Sequence, residues 1–538
     1  MNYHSVADIE KASTKGNLSS HNRSRRWASQ WIVIGTSTLA LCLVCFKLSL
    51  PLIAASPFPS DNNTKTSESW KGQLIKGTHG AVAVETEECS NVGVEILRRG
   101  GNAVDSALAS TLCIGVMNNF ATGIGGGGFM LIRSPNGTFE FIDFRETAPQ
   151  ASTQNMFVDD PLLAQRGGLA IGVPGEIRGL ELAHNRHGAL PWADLFKPAI
   201  ELARNGFKTT RYLHEKLLKA EPWILEKSEW KDIYAPQGRA AQPGEIIKRP
   251  TLAKTLEIIA NEGANAFYEG PIAESMIKTI QQAGGIMTLD DLRNYKPLIR
   301  PTISTYYHGT KITTCSAPTS GPILLSMLNI LERYSLHTLG RIGVNIHRLV
   351  EAMKFGYAFR TEFGDPDFTH LEDRYQEVIT KDWASKARAN ISDYETHSPL
   401  YYQPKYDHID NHGTMHLTVV DENDGVVALT STVNLLFGSR VMDPETGIIF
   451  NDEMDDFSIP GQPNDFGLYP AVYNYVAPGK RPLSSITPTI VEQDGKFEFA
   501  LGGSGGSQIA TASLNVSEIK KNSKAGKFKP FFFFRRCY

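Results

Sequence analysis

The stretch His412-Gly413-Thr414-Met415-His416-Leu417-Thr418-Val419-Val420 decides how this chain is read. From Thr414 onward it alternates. Met415, Leu417 and Val419 fall on one face and His416, Thr418 and Val420 on the other, the period of a β-strand. Asn423-Asp424-Gly425 then turns the chain back into Val426-Val427-Ala428-Leu429-Thr430-Ser431-Thr432, a hairpin signature. A glycine–threonine pair at the mouth of such a strand admits two readings. It is a plain strand start, or it is the point at which the chain cuts itself. In the second case, scission of the Gly413–Thr414 bond leaves Thr414 with a free amine beside its own hydroxyl. An α-amine titrates near neutrality, so it can take the hydroxyl proton and turn the oxygen into a nucleophile.

Outward from this stretch, 538 residues are enough to bury a large core in more than one domain or one large layered unit. The 41% hydrophobic and 21% charged content is that of an ordinary globular protein. The balance of 54 Lys+Arg against 57 Asp+Glu gives a net charge of -3, so no basic field draws nucleic acid. The six cysteines are Cys42, Cys45, Cys89, Cys113, Cys315 and Cys537, and no spacing among them matches a zinc or redox motif. Cys89 and Cys113 are expected as buried free thiols, with one disulfide left open.

Lys11, Lys15, Arg23, Arg25 and Arg26 precede an apolar run at residues 27–46. About twenty apolar residues span a bilayer as a helix, and positive charge before the span keeps the N-terminus cytoplasmic. The expectation is an uncleaved signal-anchor; its rival is a signal peptide cut near Ala54-Ala55-Ser56. Either way the body enters the secretory pathway, where Asn62-Asn63-Thr64, Asn136-Gly137-Thr138 and Asn390-Ile391-Ser392 are glycosylation sequons. Ser, Pro, Asn and Thr then crowd a stalk reaching residue 72.

In the globular part, Ala81-Val82-Ala83-Val84 reads as a short strand, and residues 89–99 as a helix stopped by Gly100-Gly101. A second helix of small residues follows at 103–117. Pro135-Asn136-Gly137 sets a hairpin between the apolar runs 129–132 and 139–142. From about 174 to 360 helical patterns dominate, with loops near Tyr234 and Pro301. Strands return after Thr414, with a further hairpin at Asp494-Gly495. The fold class is a layered α+β arrangement of sheets covered by helices.

Two glycine runs need chemistry of their own. Gly125-Gly126-Gly127-Gly128 lacks a following Gly-Lys-Ser/Thr and leads into a strand rather than a helix, so it reads as tight packing and not a nucleotide loop. Gly502-Gly503-Ser504-Gly505-Gly506 is either a flexible turn or a loop whose bare N–H groups face an oxyanion.

Several strings now agree in order. They are Gly100-Gly101-Asn102-Ala103-Val104-Asp105, Gly123 to Gly128, Asp143-Phe144-Arg145-Glu146-Thr147-Ala148-Pro149, and Val173-Pro174-Gly175-Glu176. Then come Ala317-Pro318-Thr319-Ser320-Gly321, the Thr414 strand, Asn451-Asp452-Glu453-Met454-Asp455-Asp456, and Lys480-Arg481-Pro482-Leu483-Ser484-Ser485. This series closely resembles the γ-glutamyltransferase (glutathione hydrolase) family, in its membrane-anchored eukaryotic type. The resemblance implies a four-layer αββα sandwich of the N-terminal-nucleophile hydrolase type. It implies a proenzyme cut between Gly413 and Thr414, with a large subunit at 73–413 and a small-subunit core at 414–512. It implies glutathione and other γ-glutamyl donors, and water, amino acids or dipeptides as acceptors, with no metal or organic cofactor. Catalytic roles fall to Thr414 as nucleophile, Thr432 as its positioning partner, and Gly505 and Gly506 as the oxyanion hole.

A γ-glutamyl group ends in an amino-acid zwitterion, which needs a cation and carboxylates at fixed separation. Arg145 can clamp the α-carboxylate with two prongs. Glu453 and Asp456 can hold the α-ammonium, with Asn434 adding a hydrogen bond and Ser484 and Ser485 donating to the carboxylate. The departure is at residues 513–538, where Lys520, Lys521, Lys524 and Lys527 precede Phe531-Phe532-Phe533-Phe534. The resemblance implies further elements here, so this tail is expected to be an altered terminus that leaves apolar faces uncovered. Two other readings therefore stand beside an active enzyme: an unprocessed, inactive truncated form or a non-catalytic membrane glycoprotein that keeps the fold, and an acylase of the same fold acting on another amide.

Overall fold

The computed structural model describes residues 75–334, 336, 342–407 and 413–522. The apolar run at 27–46, the stalk, His412 and the Phe531 to Phe534 run lie outside them. Ten strands build two sheets in the described part. In chain order they are β1 (Ala81–Ala83), β2 (Gly127–Arg133), β3 (Phe139–Phe144), β4 (Leu298–Arg300), β5 (Thr302–Tyr307), β6 (Thr310–Cys315), β7 (Met415–Val420), β8 (Val426–Thr432), β9 (Thr489–Gln493) and β10 (Lys496–Leu501). The first sheet has the order β1-β7-β8-β2-β3-β4 and the second β10-β9-β6-β5. All neighbours are antiparallel. A two-residue ribbon pairs Phe207–Lys208 with Ile246–Ile247.

The alternation of side chains along each strand sets the layering. Phe129, Leu131, Phe141, Val420, Val426 and Ala428 of the first sheet meet Cys315, Ile490 and Ala500 of the second in one inner core. The opposite side chains of the first sheet, Met130, Ile132, Met415, Leu417, Val419, Val427 and Leu429, pack under helices. Chief among these are α1 (Glu87–Arg98), α2 (Ala103–Met117), α3 (Glu176–His187), α4 (Trp192–Asn205) and α5 (Pro250–Glu262). The second sheet turns Ile303, Ile312, Val491 and Phe499 outward against α6 (Gly321–Leu331), α7 (Gly343–Arg360), α8 (Lys381–Ala389) and α9 (Gln508–Asn522). Two sheets thus lie face to face between two helical layers.

Local chemistry explains the helix ends. Thr86 accepts from the Cys89 N–H to start α1. Asn102 and Asp105 form a reciprocal capping box at the head of α2. Gly100, between α1 and α2, takes φ +90, where a side chain is disfavoured. All fifteen residues of α2 are buried, which its small side chains permit.

Two expectations change. Cys89 and Cys113 are not free thiols: α1 and α2 pack with these Cα atoms 5.5 Å apart, and the sulfurs form a disulfide of 2.01 Å. Cys315 stays a buried free thiol. The region around Pro301 is not a loop within helical sequence either, since it supplies β5 and β6, half of the second sheet. Thr302 to Tyr307 alternates between covered and exposed positions, a period of two hidden in a threonine- and tyrosine-rich segment. After the glycine loop the chain runs as α9 through residues 512 and 513 without a break. It places Ala510 and Leu514 in the outer core.

Candidate active site

Thr414 stands immediately before β7, 6% exposed. The β7–β8 hairpin pairs Met415 with Ser431, so Thr432 at the end of β8 lies across from the Gly413–Thr414 bond. The Thr432 hydroxyl donates to the Gly413 carbonyl oxygen at 2.9 Å and accepts from the Asn434 N–H at 2.8 Å. Gly413 has φ +134, and a Cβ there would run into the Asn434 carbonyl oxygen, so only glycine fits. Asn434 is itself at φ +71, held by its side-chain N–H to the Asp452 carbonyl at 3.1 Å. Gly126 passes so close to the Thr432 carbonyl that a side chain would collide with it. The Gly125 to Gly128 run is therefore close backbone packing behind the Thr432 turn.

Arg145 follows the last residue of β3 and is 1% exposed. Its backbone is fixed by Tyr295, which donates to the Arg145 carbonyl at 2.8 Å, and by the Asp143 carboxylate, which accepts the Arg145 N–H at 3.0 Å. The guanidinium pairs with Glu453 through Nη1 and Asp456 through Nη2. It also donates to the Pro482 and Leu483 carbonyls, each at 3.3 Å. The structure thus joins Arg145, Glu453 and Asp456 in one buried cluster. The fork faces these carboxylates rather than standing free.

Two asparagines to which no role was assigned from sequence hold the cluster: Asn451, at the head of the 451–456 string, and Asn474. Asn451 donates to Gly125 and Gly172 carbonyls at 2.8 and 2.9 Å and accepts from the Glu453 N–H at 2.9 Å. Asn474 donates to the Asp456 carbonyl at 2.7 Å and accepts from the Leu483 N–H at 2.9 Å. Behind them, Arg300 pairs with Asp143 and Asp365 at 2.6 and 2.9 Å, and Asp365 accepts the Arg481 N–H at 2.9 Å.

Burial opposes the charge on Arg145, but Glu453, Asp456 and Glu146 outweigh it and hold the guanidinium above its ordinary pKa. Burial also pushes Glu453 well above the carboxylate range, with Arg145 pulling partly back. Glu146, buried beside the same guanidinium, is pushed up by burial to about 8. Three carboxyls around one cation cannot all ionise cheaply, which favours the protonated form of Glu146.

Ser484 is buried, and its hydroxyl accepts from the Ile486 N–H at 3.2 Å. The Ser485 hydroxyl accepts from Arg360 Nη2 at 2.9 Å. Gly505 and Gly506 take φ +118 and +60 directly ahead of α9, and their carbonyls accept the Gln508 and Ile509 N–H groups at 3.3 and 3.0 Å. Their loop rests on β7 next to Thr414: a Cβ at Gly502 would run into the His416 ring. His416 bridges Thr430 at 2.8 Å and Thr418 at 3.1 Å, and burial pulls it down to about 3, so it is neutral. Among the described residues, no group of three or more His, Cys, Asp or Glu is set to hold a metal ion.

Comparison with known proteins places this geometry. A family described as Gamma-glutamyltranspeptidase matches residues 89–518. Glutathione hydrolase proenzyme 2 of Schizosaccharomyces pombe is 47% identical over 482 residues, covering 88% of this chain and 79% of that protein. The crystal structure of Helicobacter pylori gamma-glutamyltranspeptidase is 34% identical with a TM-score of 0.60, covering 62% of this chain and 97% of that one. A cephalosporin acylase from Bacillus halodurans shares the fold, with a TM-score of 0.73 at 24% identity over 84% of this chain and 82% of that one. The chain belongs to the gamma-glutamyltranspeptidase family.

Proposed function

We propose that this chain is a self-cleaving γ-glutamyltransferase and glutathione hydrolase whose nucleophile is Thr414. The observation that carries the reading is the Thr432 hydroxyl seated on the Gly413 carbonyl, with Gly413 in a backbone conformation no other residue fits. In maturation, the Thr414 hydroxyl oxygen attacks the Gly413 carbonyl carbon. Thr432 donates to the developing oxyanion. The C–N bond breaks, the Thr414 nitrogen takes the proton, and water hydrolyses the resulting ester. The large subunit then ends at Gly413, and Thr414 gains the free amine that serves as its base.

In turnover, the Thr414 oxygen attacks the γ-carbonyl of the donor, and the leaving amine departs with a proton. Water or an acceptor amine then releases the γ-glutamyl group. The N–H groups of Gly505 and Gly506 face the oxyanion. The donor's α-carboxylate takes the Arg145 fork with Ser484 and Ser485, while Glu453, Asp456 and Asn434 receive its α-ammonium. This is an exchange of ion pairs, so no buried charge is left alone. The Arg145–Glu453–Asp456 cluster supports a donor with a free amino-acid head over the amide of an acylase substrate. The Ala510 and Leu514 contacts of α9 support a folded, processed enzyme over an inactive one.

The protein is read as a type II membrane protein, with residues 1–26 cytoplasmic, 27–46 in the membrane and the catalytic part in the lumen or outside the cell. The positive charges before the apolar run support this, as does the Cys89–Cys113 disulfide, which persists in oxidising compartments. Among the described residues no helix is long and apolar enough to cross a membrane. Protease protection of sealed vesicles tests the orientation. The catalytic reading is tested by a denaturing gel and N-terminal sequencing. Two fragments are expected, the smaller starting at Thr414, and Thr414→Ala should remain one chain. A Thr414→Ala protein still cut at this bond would sink the assignment.

A further inference from the structure

We propose that Arg360 is a positioning residue for donor recognition, orienting the Ser485 hydroxyl as a donor toward the substrate carboxylate. The inference rests on the assignment of Ser485 to that carboxylate. Arg360 is the last residue of α7 and is 4% exposed. It reaches the site from the helical layer behind the second sheet. Its Nε donates to the Ser320 hydroxyl at 3.0 Å and its Nη2 to the Ser485 hydroxyl at 2.9 Å. Ser320 passes the grip on: its hydroxyl donates to the Ser484 carbonyl at 2.7 Å, and its N–H to the Ile486 carbonyl at 3.1 Å. One guanidinium therefore holds two loops together, residues 317–320 and 484–486.

Hydrogen-bond inventory gives this grip a chemical consequence. A hydroxyl has one proton to donate and two lone pairs. A guanidinium only donates. Facing Arg360, Ser485 must accept, and its own proton must point elsewhere. The Ile486 N–H imposes the same on Ser484. Two adjacent hydroxyls are thereby turned into donors beside Leu483, whose carbonyl is bound to Arg145. A carboxylate, which only accepts, matches that pair; a neutral amide, with protons of its own, matches it less well. The planar fork also matters, because its two edges serve two serines at once. A lysine ammonium carries the charge without that geometry.

The test uses the full-length, matured enzyme and a γ-glutamyl anilide as donor. Ser485→Ala, Arg360→Met, Arg360→Lys and the Ser485→Ala/Arg360→Met pair are compared by KM and kcat. Arg360→Met should raise KM about tenfold, the loss of one hydrogen bond to a charged group, with kcat changing far less. Arg360→Lys should fall between Met and the parent. In the double variant KM should rise no further than in the worse single variant, because both changes remove one interaction. Multiplied effects in the double variant would overturn the proposal, as would a loss confined to kcat. If neither Arg360 variant yields the two fragments, Arg360 is a folding residue and the proposal also fails. An unchanged KM in Ser485→Ala alone strikes instead at the assignment of Ser485, and removes the basis of the inference.

Discussion

Removing the Thr432 hydroxyl separates chemistry from stability in one residue. Thr432 is 2% exposed, and its oxygen makes two bonds of different kinds. It donates to the Gly413 carbonyl at 2.9 Å, the oxygen on which the proposed self-cleavage would develop negative charge. It accepts from the Asn434 N–H at 2.8 Å, a bond that matters to the fold whether or not chemistry occurs. Thr432→Val keeps the shape and deletes both. Loss of one oxyanion donor slows a reaction about 10²- to 10³-fold, roughly 2.7–4 kcal/mol of transition-state stabilisation. Leaving a buried N–H unpaired costs about 1–3 kcal/mol of stability. Thr432→Ser keeps both bonds and lacks only the methyl, so it should mature at close to the parental rate. The assay is a time course of precursor disappearance on denaturing gels, beside thermal melting of each precursor in a Thr414→Ala background. The expected pattern is slow cleavage and a lower Tm for Val, and neither for Ser. Cleavage of Thr432→Val at the parental rate would refute the reasoning, whatever its Tm. A lowered Tm with normal cleavage would leave Thr432 as a turn-stabilising residue only.

Arg145→Lys keeps the charge but loses the fork that meets Glu453 and Asp456, so donor KM should rise by about tenfold or more while self-cleavage persists. Unchanged steady-state kinetics in both Arg145→Lys and Asp456→Asn would remove these residues from donor binding. The Cys89–Cys113 bridge closes a sequence separation of 24 residues, so the double serine variant should lose about 3 to 4 kcal/mol in denaturant unfolding. Glu176, buried against Ser431, is pushed up by burial to about 7, above the carboxylate value of the unfolded chain. Its protonated form stabilises the fold at low pH, and that contribution is lost as pH rises toward and through 7. Glu176→Gln carries no such titration, so its Tm relative to the parent should climb between about pH 4.5 and 7 and then level off. A difference flat with pH would contradict the buried, protonated state.

How much was legible in the amino-acid order depends on the range of the interaction. Strand alternation at Met415 to Val420, the Asn423-Asp424-Gly425 turn and the stop at Gly100-Gly101 are local, and each formed where its residues place it. The charged and hydroxyl residues of the site sit in recognisable strings, so Arg145, Glu453 and Asp456 could be named together before their contact was seen. β5 and β6 were missed because their many threonines, with serine and tyrosine among them, give little contrast in hydrophobicity, and pairing with β9 supplies what the pattern lacks. The Cys89–Cys113 bond was left open because 24 residues of sequence say nothing about whether two helices pack at 5.5 Å.

Tertiary structure alone decided the rest. Asn474 and Arg360 carry no local signal, and Asn451 only its place in a string that assigns it no role, since an asparagine in a loop or an arginine at a helix end is ordinary surface chemistry. Each becomes a site residue because remote segments converge on it: Gly125 and Gly172 on Asn451, Ser320 and Ser485 on Arg360. The same holds for Thr432, whose donor role exists only because the hairpin register brings the end of β8 back to Gly413. By itself the sequence determined which residue types were available and which short segments would be strands, turns and helices, because those follow from backbone preference and periodicity within a few residues. Which buried donor meets which acceptor was fixed only when two sheets closed on a common core, because an unpaired polar group there is too costly to leave.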